Sequence, residues 1–315
     1  MEYRKLGNAD INVSVFSIGS WNTFEFMDER SGVEVLASAI DAGVNFLDDA
    51  RYTDTSGKAP IKTGYSEVVF GNLLRAGGWN RDDLILSNRL WLEFYPEESI
   101  EKEIDGSLSR IGIDDLDLVY CMDPPETVSL PKLIQEIGEV IKTGKIKYWG
   151  IANWSAGLLA EGCVIAKSSG IPLPCAAMLP YSLLRRSWVE DAAMASICAE
   201  NNIGIVPSFC LAGGVLTGKY NQTNLPAKTR RNAEQIAELR KDGTLDKVDK
   251  FIELAKATGY SPAQLALAFC LKNEQVSSLL FGATSVAQVT ENLSALQAVN
   301  DLNEDVFEHL TTLFD

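Results

Sequence analysis

Short apolar runs rich in β-branched residues alternate along the chain with stretches whose apolar positions recur every three or four residues. Several short runs are apolar throughout, which is typical of parallel strands buried on both faces. The predicted strands are 13–19, 44–48, 84–90, 116–122, 146–151, 174–179, 203–208 and 276–281. The predicted helices are 31–43, 66–77, 97–111, 130–143, 156–169, 189–201, 246–258 and 286–299. This alternation predicts an α/β protein.

Eight strand–helix units at spacings of about 30 residues favour a single closed (β/α)8 barrel, a TIM barrel, over residues 1–315. An open, doubly wound sheet usually carries a G-x-G-x-x-G run after its first strand, and none stands there. Two long polar segments, 51–64 and 221–244, follow the second and seventh predicted strands. Both are expected at the carboxyl-terminal rim, where the active sites of such barrels lie.

The charge balance excludes some partners. The chain has 43 acidic and 28 basic side chains, a net charge of −15, so its surface repels nucleic-acid backbones and anionic membranes. No apolar run approaches the roughly 18 residues that span a bilayer. The six cysteines are scattered without a C-x-x-C pair, which indicates reduced thiols in a cytoplasmic protein. The oligomeric state is not readable from these features.

Two motifs narrow the reaction classes. The chain's single histidine, His309, falls in a final helical stretch around Val306–Leu310, so a Ser-His-Asp or Cys-His triad or a histidine-rich zinc site at the rim is not expected. The run Gly213–Lys219 fits the spacing of a P-loop, but Tyr220 follows it where a P-loop has the hydroxyl that binds magnesium. Its glycines are expected to let the backbone approach a pyrophosphate instead.

An acid and a guanidinium end neighbouring predicted strands. Asp48 and Asp49 follow the second strand, and only one of two adjacent residues can face the barrel mouth. Arg89, at the end of the third strand, is the natural partner of a buried acid there. A structural salt bridge and a proton-handling site both fit this pattern. Likewise Glu291 and Asn292, in the last helix, fit either a solvated face or an adenine and ribose site.

With these residues in place, the chain resembles the aldo-keto reductases, and within them the potassium-channel β-subunit branch. The resemblance covers nearly the whole chain in the right order. The motifs that carry it are Tyr3–Gly7, Ser17–Trp21, Gly43–Asp48, Ser66–Gly71, Trp79, Lys145–Gly150, Leu211–Tyr220 and Gly282–Ser285, followed by Gln288, Glu291 and Asn292.

The resemblance implies hydride transfer between NADPH and an aldehyde or ketone, at a site with an aspartate, a tyrosine, a lysine and a histidine. Asp48 keeps the aspartate. The family lysine falls on Arg89, which is expected to lower the pKa of the tyrosine as a lysine would. The family histidine falls on Met122, whose thioether donates no hydrogen bond, so one contact to the substrate oxygen is lost.

The position of the tyrosine is ambiguous. The resemblance implies a tyrosine five residues after the aspartate, but Thr53 stands there. Tyr52 precedes it by one residue, and Tyr65 is a second candidate because the segment 51–64 looks expanded. Tyr52 is the favoured proton donor.

The cofactor residues are also carried over from the resemblance. They are Trp21, Asn153, Tyr181, Ser208, Phe209, Leu211, Gly213, Lys219, Arg230, Gly282, Thr284, Gln288, Glu291 and Asn292. Lys219, with Arg230 or Arg231, is expected to neutralise phosphates, which favours NADP(H) over NAD(H). Tyr181 is expected either to stack on the nicotinamide or to be a core residue.

The predicted function is an NADP(H)-dependent carbonyl reductase or alcohol dehydrogenase for a small organic substrate. Alternatives are a weakly active NADPH-binding regulatory or interaction protein, and a non-redox acid–base enzyme, a lyase or isomerase. Five aromatic residues, Trp21, Phe24, Trp91, Phe94 and Tyr95, are expected at the mouth. They suggest an aromatic or sugar-like ligand, or simply rim packing.

Overall fold

The computed structural model describes residues 1–54, 57–222 and 230–315. Two strands form an amino-terminal antiparallel hairpin, β1 (Tyr3–Lys5) and β2 (Asn12–Ser14). Eight parallel strands follow: β3 (Phe16–Gly19), β4 (Phe46–Asp48), β5 (Ile85–Leu90), β6 (Leu116–Met122), β7 (Ile146–Ala152), β8 (Ala176–Pro180), β9 (Gly204–Ser208) and β10 (Leu279–Phe281). Each predicted strand is present, although the first, second and last are shorter than expected.

The eight strands close into a barrel. Their order in the sheet is β10, then β3 through β9, and all neighbouring pairs are parallel. Closure comes just before β10, where the Ile205 N–H donates to Gln275 O at 2.9 Å and the Ser277 N–H donates to Ile205 O at 2.9 Å. The predicted (β/α)8 barrel is therefore confirmed.

Helices surround the strands. In the described residues they are α1 (Glu29–Asp41), α2 (Tyr65–Gly77), α3 (Ile100–Ile111), α4 (Leu130–Thr143), α5 (Ala156–Ser168), α6 (Ser187–Glu190), α7 (Ala192–Asn201), α8 (Ala233–Lys241), α9 (Thr244–Thr258), α10 (Pro262–Lys272), α11 (Val286–Leu293), α12 (Ala295–Asp301) and α13 (Glu304–Phe314). No helix of these residues is long and apolar enough to cross a membrane.

Alternation along each strand divides the core into two parts. Side chains such as Phe46, Leu118 and Val206 fill the barrel interior, and the hairpin residues Leu6 and Val13 join them from the amino-terminal end. A larger cluster lies between the outer faces of the strands and the helices. Because the hairpin covers the amino-terminal end, a ligand site is expected at the carboxyl-terminal end.

The two long rim segments differ. The segment 51–64, after β4, lacks helices and strands in its described residues, apart from an isolated bridge between Thr53 and Thr63. The prediction of a loop over 221–244 was only partly right, because α8 occupies Ala233–Lys241. Asn232 caps this helix with a capping box, a signal that marks a helix start within charged sequence. Residues 223–229 lie outside the described residues.

Candidate active site

The carboxyl ends of β4 and β5 hold a buried ion pair. Asp48 and Ser87 are register partners, and Ser87 and Arg89 are two residues apart on one face of β5. The Arg89 Nη2 donates to Asp48 Oδ2 at 2.8 Å, and the Ser87 Oγ donates to Asp48 Oδ1 at 2.7 Å. The aspartate is 1% exposed and the arginine 8%. The expected partnership is present, and Ser87 is a further support that the sequence gave no reason to single out.

Arg89 also reaches a tyrosine. Its Nη1 donates to the Tyr52 hydroxyl oxygen at 2.6 Å and to the backbone oxygen of Asp49 at 3.3 Å. One guanidinium thus joins the Asp48 carboxylate to a phenol. Tyr65, the other candidate, begins α2 and lines a small cavity that Tyr52 also lines.

Burial controls the protonation of this phenol. Loss of solvent raises the pKa of Tyr52 above its ordinary value, and the Arg89 charge only partly opposes the rise. Arg89 thus lowers the pKa of Tyr52 as expected, but desolvation outweighs the cation and the net shift is upward. Burial alone would lower the pKa of Arg89, but the Asp48 carboxylate and the Tyr52 hydroxyl beside it together offset that and raise the pKa. The resting site holds a neutral phenol against a permanent cation.

Asp49 faces away from this cluster, as strand alternation predicts. Its Oδ1 accepts a hydrogen bond from the Ser20 hydroxyl, and its Oδ2 has no partner among the described residues. Burial, and then the charge of Glu67, raise the pKa of Asp49 well above its ordinary value. It is a structural acid behind the site, and burial shifts its protonation equilibrium toward the neutral form.

Aromatic rings line the mouth around Tyr52. The Trp21 ring lies 6.3 Å from the Tyr52 ring, and the Trp91 ring lies 5.9 Å from it on an edge-to-face contact. Phe209 packs against Trp21 with ring centroids 5.3 Å apart. Two of the five aromatic residues expected at the mouth, Trp21 and Trp91, therefore flank the phenol.

The other three lie elsewhere. Phe24 is 2% exposed and belongs to the helix-side core. The Tyr95 hydroxyl donates to Glu136 on α4 at 3.1 Å. Phe94 is half-exposed beside the guanidinium of Arg51.

The position of the family histidine has no hydrogen-bond donor. The Met122 side chain packs partly buried against the barrel interior. A second thioether, Met178 Sδ, lies 3.1 Å from Arg89 Nη2. Tyr120, the register partner of Arg89, has a buried hydroxyl without a partner among the described residues. Sequence analysis missed Tyr120, although a phenol within the apolar run Leu118–Cys121 is an available signal.

The loop after β9 exposes its backbone and carries a cation. Gly213 and Gly214 have φ of 67° and 90°, a left-handed pair that side chains with a Cβ rarely adopt. A Cβ on Gly214 would lie 2.5 Å from Lys219 Nζ, so the lysine crosses directly over this glycine. Ser208 ends β9, Phe209 has φ of 58°, and the Leu211 oxygen accepts the Gly214 N–H at 2.9 Å.

Arg230 links this loop to the loop after β10. Its Nη2 donates to Trp21 O at 3.1 Å, and its guanidinium lies 5.2 Å from the Trp21 ring centroid. A Cβ on Gly282 would lie 3.8 Å from Arg230 Nη2. The companion residue Arg231 donates to Ala212 O at 3.2 Å.

The charges here fit an anionic ligand. No carboxylate of a described residue lies within 4 Å of the Lys219 or Arg230 nitrogens. Burial lowers the pKa of Lys219, and the nearby Arg230 charge lowers it further. Since two neighbouring cations repel each other, a phosphate between them would relieve that repulsion.

The start of α11, just after β10, carries the remaining residues that were expected to bind the cofactor. Ser285 caps the helix, and the Thr284 N–H and Oγ1 lie 2.8 and 3.2 Å from Gln288 Oε1. Asn292 is 4% exposed, whereas Glu291 is exposed. The structure thus brings Gly282, Thr284 and Gln288 together near a helix amino terminus, a position that favours anions.

Asn153 and Tyr181 differ in placement. Asn153 follows β7 with φ of 62°, and its N–H donates to Met178 O at 3.1 Å, so it stays at the carboxyl rim. The Tyr181 ring packs 5.4 Å from Phe269 of α10, and its hydroxyl donates to Glu190 at 2.9 Å. The Tyr181 side chain belongs to the helix-side core, whereas its backbone N–H donates to Ser208 O at 2.9 Å.

A parallel barrel with a polar cluster at its carboxyl-terminal mouth and a cationic, glycine-rich rim defines a ligand-binding α/β barrel of the enzyme type. The family model described as "Aldo/keto reductase family" matches residues 16–314. The chain therefore belongs to the aldo/keto reductase family, a family of oxidoreductases that generally bind NAD(P)H.

Two plant relatives are similar over almost their full length. A protein of rice (Oryza sativa subsp. japonica) is 33% identical over 322 residues, which cover 98% of this chain and 95% of the relative. A protein of Arabidopsis thaliana is 30% identical with the same coverage of both chains. Both carry the name "Probable voltage-gated potassium channel subunit beta".

Proposed function

We propose that the chain is an NADP(H)-dependent oxidoreductase that acts on a carbonyl or alcohol group of a small organic substrate. The observation that carries the proposal is the Arg89 guanidinium, which joins Asp48 at 2.8 Å and the Tyr52 hydroxyl at 2.6 Å. Family membership supplies the reaction class, and this bridge supplies the groups for proton transfer.

Each side chain has a distinct role in the proposal. Tyr52 gives its proton to the substrate oxygen, and its raised pKa keeps that proton on the phenol until charge develops there. Arg89 stabilises the phenolate that remains, and Asp48 fixes the guanidinium in place. When bound, the nicotinamide cofactor supplies or accepts the hydride.

The cofactor is assigned to the glycine-rich rim. Lys219 and Arg230 are the proposed partners of its phosphates, and two neighbouring cations, with Glu25 as the acid that acts on Arg230, favour the phosphorylated form, NADP(H). Gly213 and Gly214 leave room for close approach, and Asn153 is the proposed partner of the ring amide. Because Met122 offers no donor, a rate lower by about 10² to 10³ than with an intact donor set is expected.

The test compares two tyrosines. NADPH oxidation is followed with a panel of aldehydes and ketones, and NADP⁺ reduction with alcohols. Tyr52→Phe should lower kcat about 10² to 10⁴-fold, because the proton donor is lost, with little change in NADPH affinity. Tyr65→Phe is the matched control and should keep most of the activity. Equal losses in both variants, or no turnover by the wild-type chain, would contradict the proposal.

A second candidate is a protein that binds NADPH and interacts with a partner but turns over little. The names of the two plant relatives favour it, and so does the thioether at position 122. Tight NADPH binding without turnover of any carbonyl or alcohol would support this candidate over the first.

A further inference from the structure

Arg51 stands directly before the proposed proton donor and is buried among acids. Its side chain is 8% exposed, and its guanidinium lies 3.4 Å from Glu103, 3.6 Å from Glu98 and 3.7 Å from Glu93. Glu93 is half-exposed, so its pairing contributes little, whereas the Glu103 side chain is 4% exposed. The Arg51–Glu103 pair is therefore the strongest link of the cluster.

Glu103 extends this link to the neighbouring loop. It lies on α3, and its carboxylate accepts the Trp91 N–H at 2.8 Å and the Leu92 N–H at 3.4 Å. Leu92 has φ of 61°, a left-handed conformation that costs a leucine about 1 kcal/mol or more and needs outside support. These bonds from Glu103 provide it.

The two loops meet at the Tyr52 ring. The Trp91 ring contacts Tyr52 edge-to-face, and Arg51 covers the Phe94 ring at 5.5 Å. Removing Arg51 would leave the Glu103 carboxylate buried without its nearest cation, which is costly enough to make it take up a proton or move toward water. Either change weakens the hydrogen bonds that the Glu103 carboxylate accepts from the Trp91 and Leu92 amides.

We propose that Arg51 and Glu103 are positioning residues, which fix the loop of Tyr52 against the loop of Trp91. The inference rests on the proposed function only for its effect on turnover. The loop geometry itself is independent of the reaction.

The kinetic test uses Arg51→Met, with Arg51→Lys as the conservative variant. Misplacement of the donor by about 1 Å costs up to 10²-fold, so Arg51→Met should lower kcat about 10 to 100-fold while NADPH affinity stays within a factor of about three. Arg51→Lys should recover part of the loss. In a Tyr52→Phe background, Arg51→Met should have almost no further effect on kcat. Arg30→Met, in an exposed ion pair on α1, is the matched control and should leave kcat unchanged.

The structural test is hydrogen exchange at residues 91 and 92. Their amides should be protected in the wild-type chain and exchange at least about 10-fold faster in Arg51→Met. Glu103→Gln, which keeps an acceptor but removes the charge, serves if Arg51→Met does not fold, and should also speed exchange. Unchanged exchange in folded variants would overturn the inference, whatever the turnover. Faster exchange in a chain without turnover would support the inference while the proposed function fails.

Discussion

At the mouth of the barrel the Asp48 carboxylate and the Arg89 guanidinium are both buried, 2.8 Å apart. The desolvation cost of such a pair is large, so its net contribution to stability is small, but the loss of one partner leaves an uncompensated charge. The buried pair therefore adds little to the stability of the fold, although each partner needs the other, and it lies at the proposed catalytic site.

Asp48→Ala should reduce the free energy of unfolding by about 3–5 kcal/mol, because it strands the Arg89 charge in the core. The matched control is Glu34→Ala, which removes an exposed helical ion pair with Arg30 and should change stability by less than about 0.5 kcal/mol. Urea denaturation of both variants measures this. A similar small change in both would mean that Arg89 is not held as a buried cation.

Asp49 gives a pH dependence of defined sign. Burial raises its folded-state pKa above the ordinary 3.8, so its contribution to stability is present below 3.8 and is lost as the pH rises through the raised value. Asp49→Asn has no titratable group at this position and therefore lacks this pH-dependent contribution to stability. The variant should have its greatest advantage over the wild-type chain near neutral pH, and that advantage should shrink on acidification.

An exposed acid provides the opposite sign as a control. Hydrogen bonds from Thr244 lower the pKa of Asp242, so its contribution is present above 3.8 and is lost as the pH falls through the lowered value. Asp242→Asn should therefore cost stability near neutral pH and less in acid. Urea midpoints between about pH 2 and pH 8 measure both series. The same sign in both would contradict the assigned burial of Asp49.

Residue types and spacing sufficed to predict the Asp48–Arg89 partnership, and the choice of Tyr52 as proton donor stays a prediction. They did not predict the direction of the pKa shift of Tyr52, because burial depends on packing that no local pattern reports. For Tyr181, residue type and spacing did not decide whether the side chain faces the cofactor site or the helix-side core. Position along β8 decides which way a side chain faces, and that register is fixed only by the assembled barrel.

At the scale of elements, α2 and α3 pack so closely that α2 has no room for a side chain at the point where it contacts α3. A Cβ on Gly71 of α2 would lie 1.9 Å from the backbone oxygen of Ile111, which ends α3. Backbone cannot yield as a flexible side chain can. Gly71 therefore sets the distance between the two helices that flank the strands β4 and β5.

Gly71→Ala should destabilise the fold by about 3 kcal/mol or more, since overpacking is added to a contact with backbone. Gly157→Ala on α5 is the matched control, because nothing lies within 4 Å of its added Cβ. That substitution should be neutral or stabilising by up to about 1 kcal/mol, the helix propensity of alanine over glycine. Thermal unfolding of the two variants gives the comparison, and an equally stable Gly71→Ala would contradict the close packing.

Helices with one apolar and one polar face were predictable from the sequence, whereas helices that are mainly apolar or mainly polar were not. The helix α10 was not predicted because residues 265–271 are all buried, which leaves no polar face to show the helical period. The predicted helix 189–201 is two helices, since Asp191 is extended and caps α7. The helix α8 is too polar for an apolar period to reveal it.

For the whole molecule, the eightfold alternation of strands and helices was sufficient to predict a closed barrel. The net charge of −15 gives no sign of the cations at its mouth. Lys219 and Arg230 both belong to the segment after β9, where the Arg230 charge acts on Lys219, and Arg230 also approaches Gly282 after β10. An acidic surface with a locally cationic rim suits one small anionic cofactor.

Isothermal titration calorimetry with NADPH and NADH tests the central claim most directly. The wild-type chain should take up one NADPH and bind it more tightly than NADH. Lys219→Met or Arg230→Met should weaken NADPH binding about 10 to 100-fold, the loss of one charge-assisted hydrogen bond, while Arg30→Met should not. Uptake of neither dinucleotide by the wild-type chain would contradict the claim that this barrel mouth is a nicotinamide cofactor site.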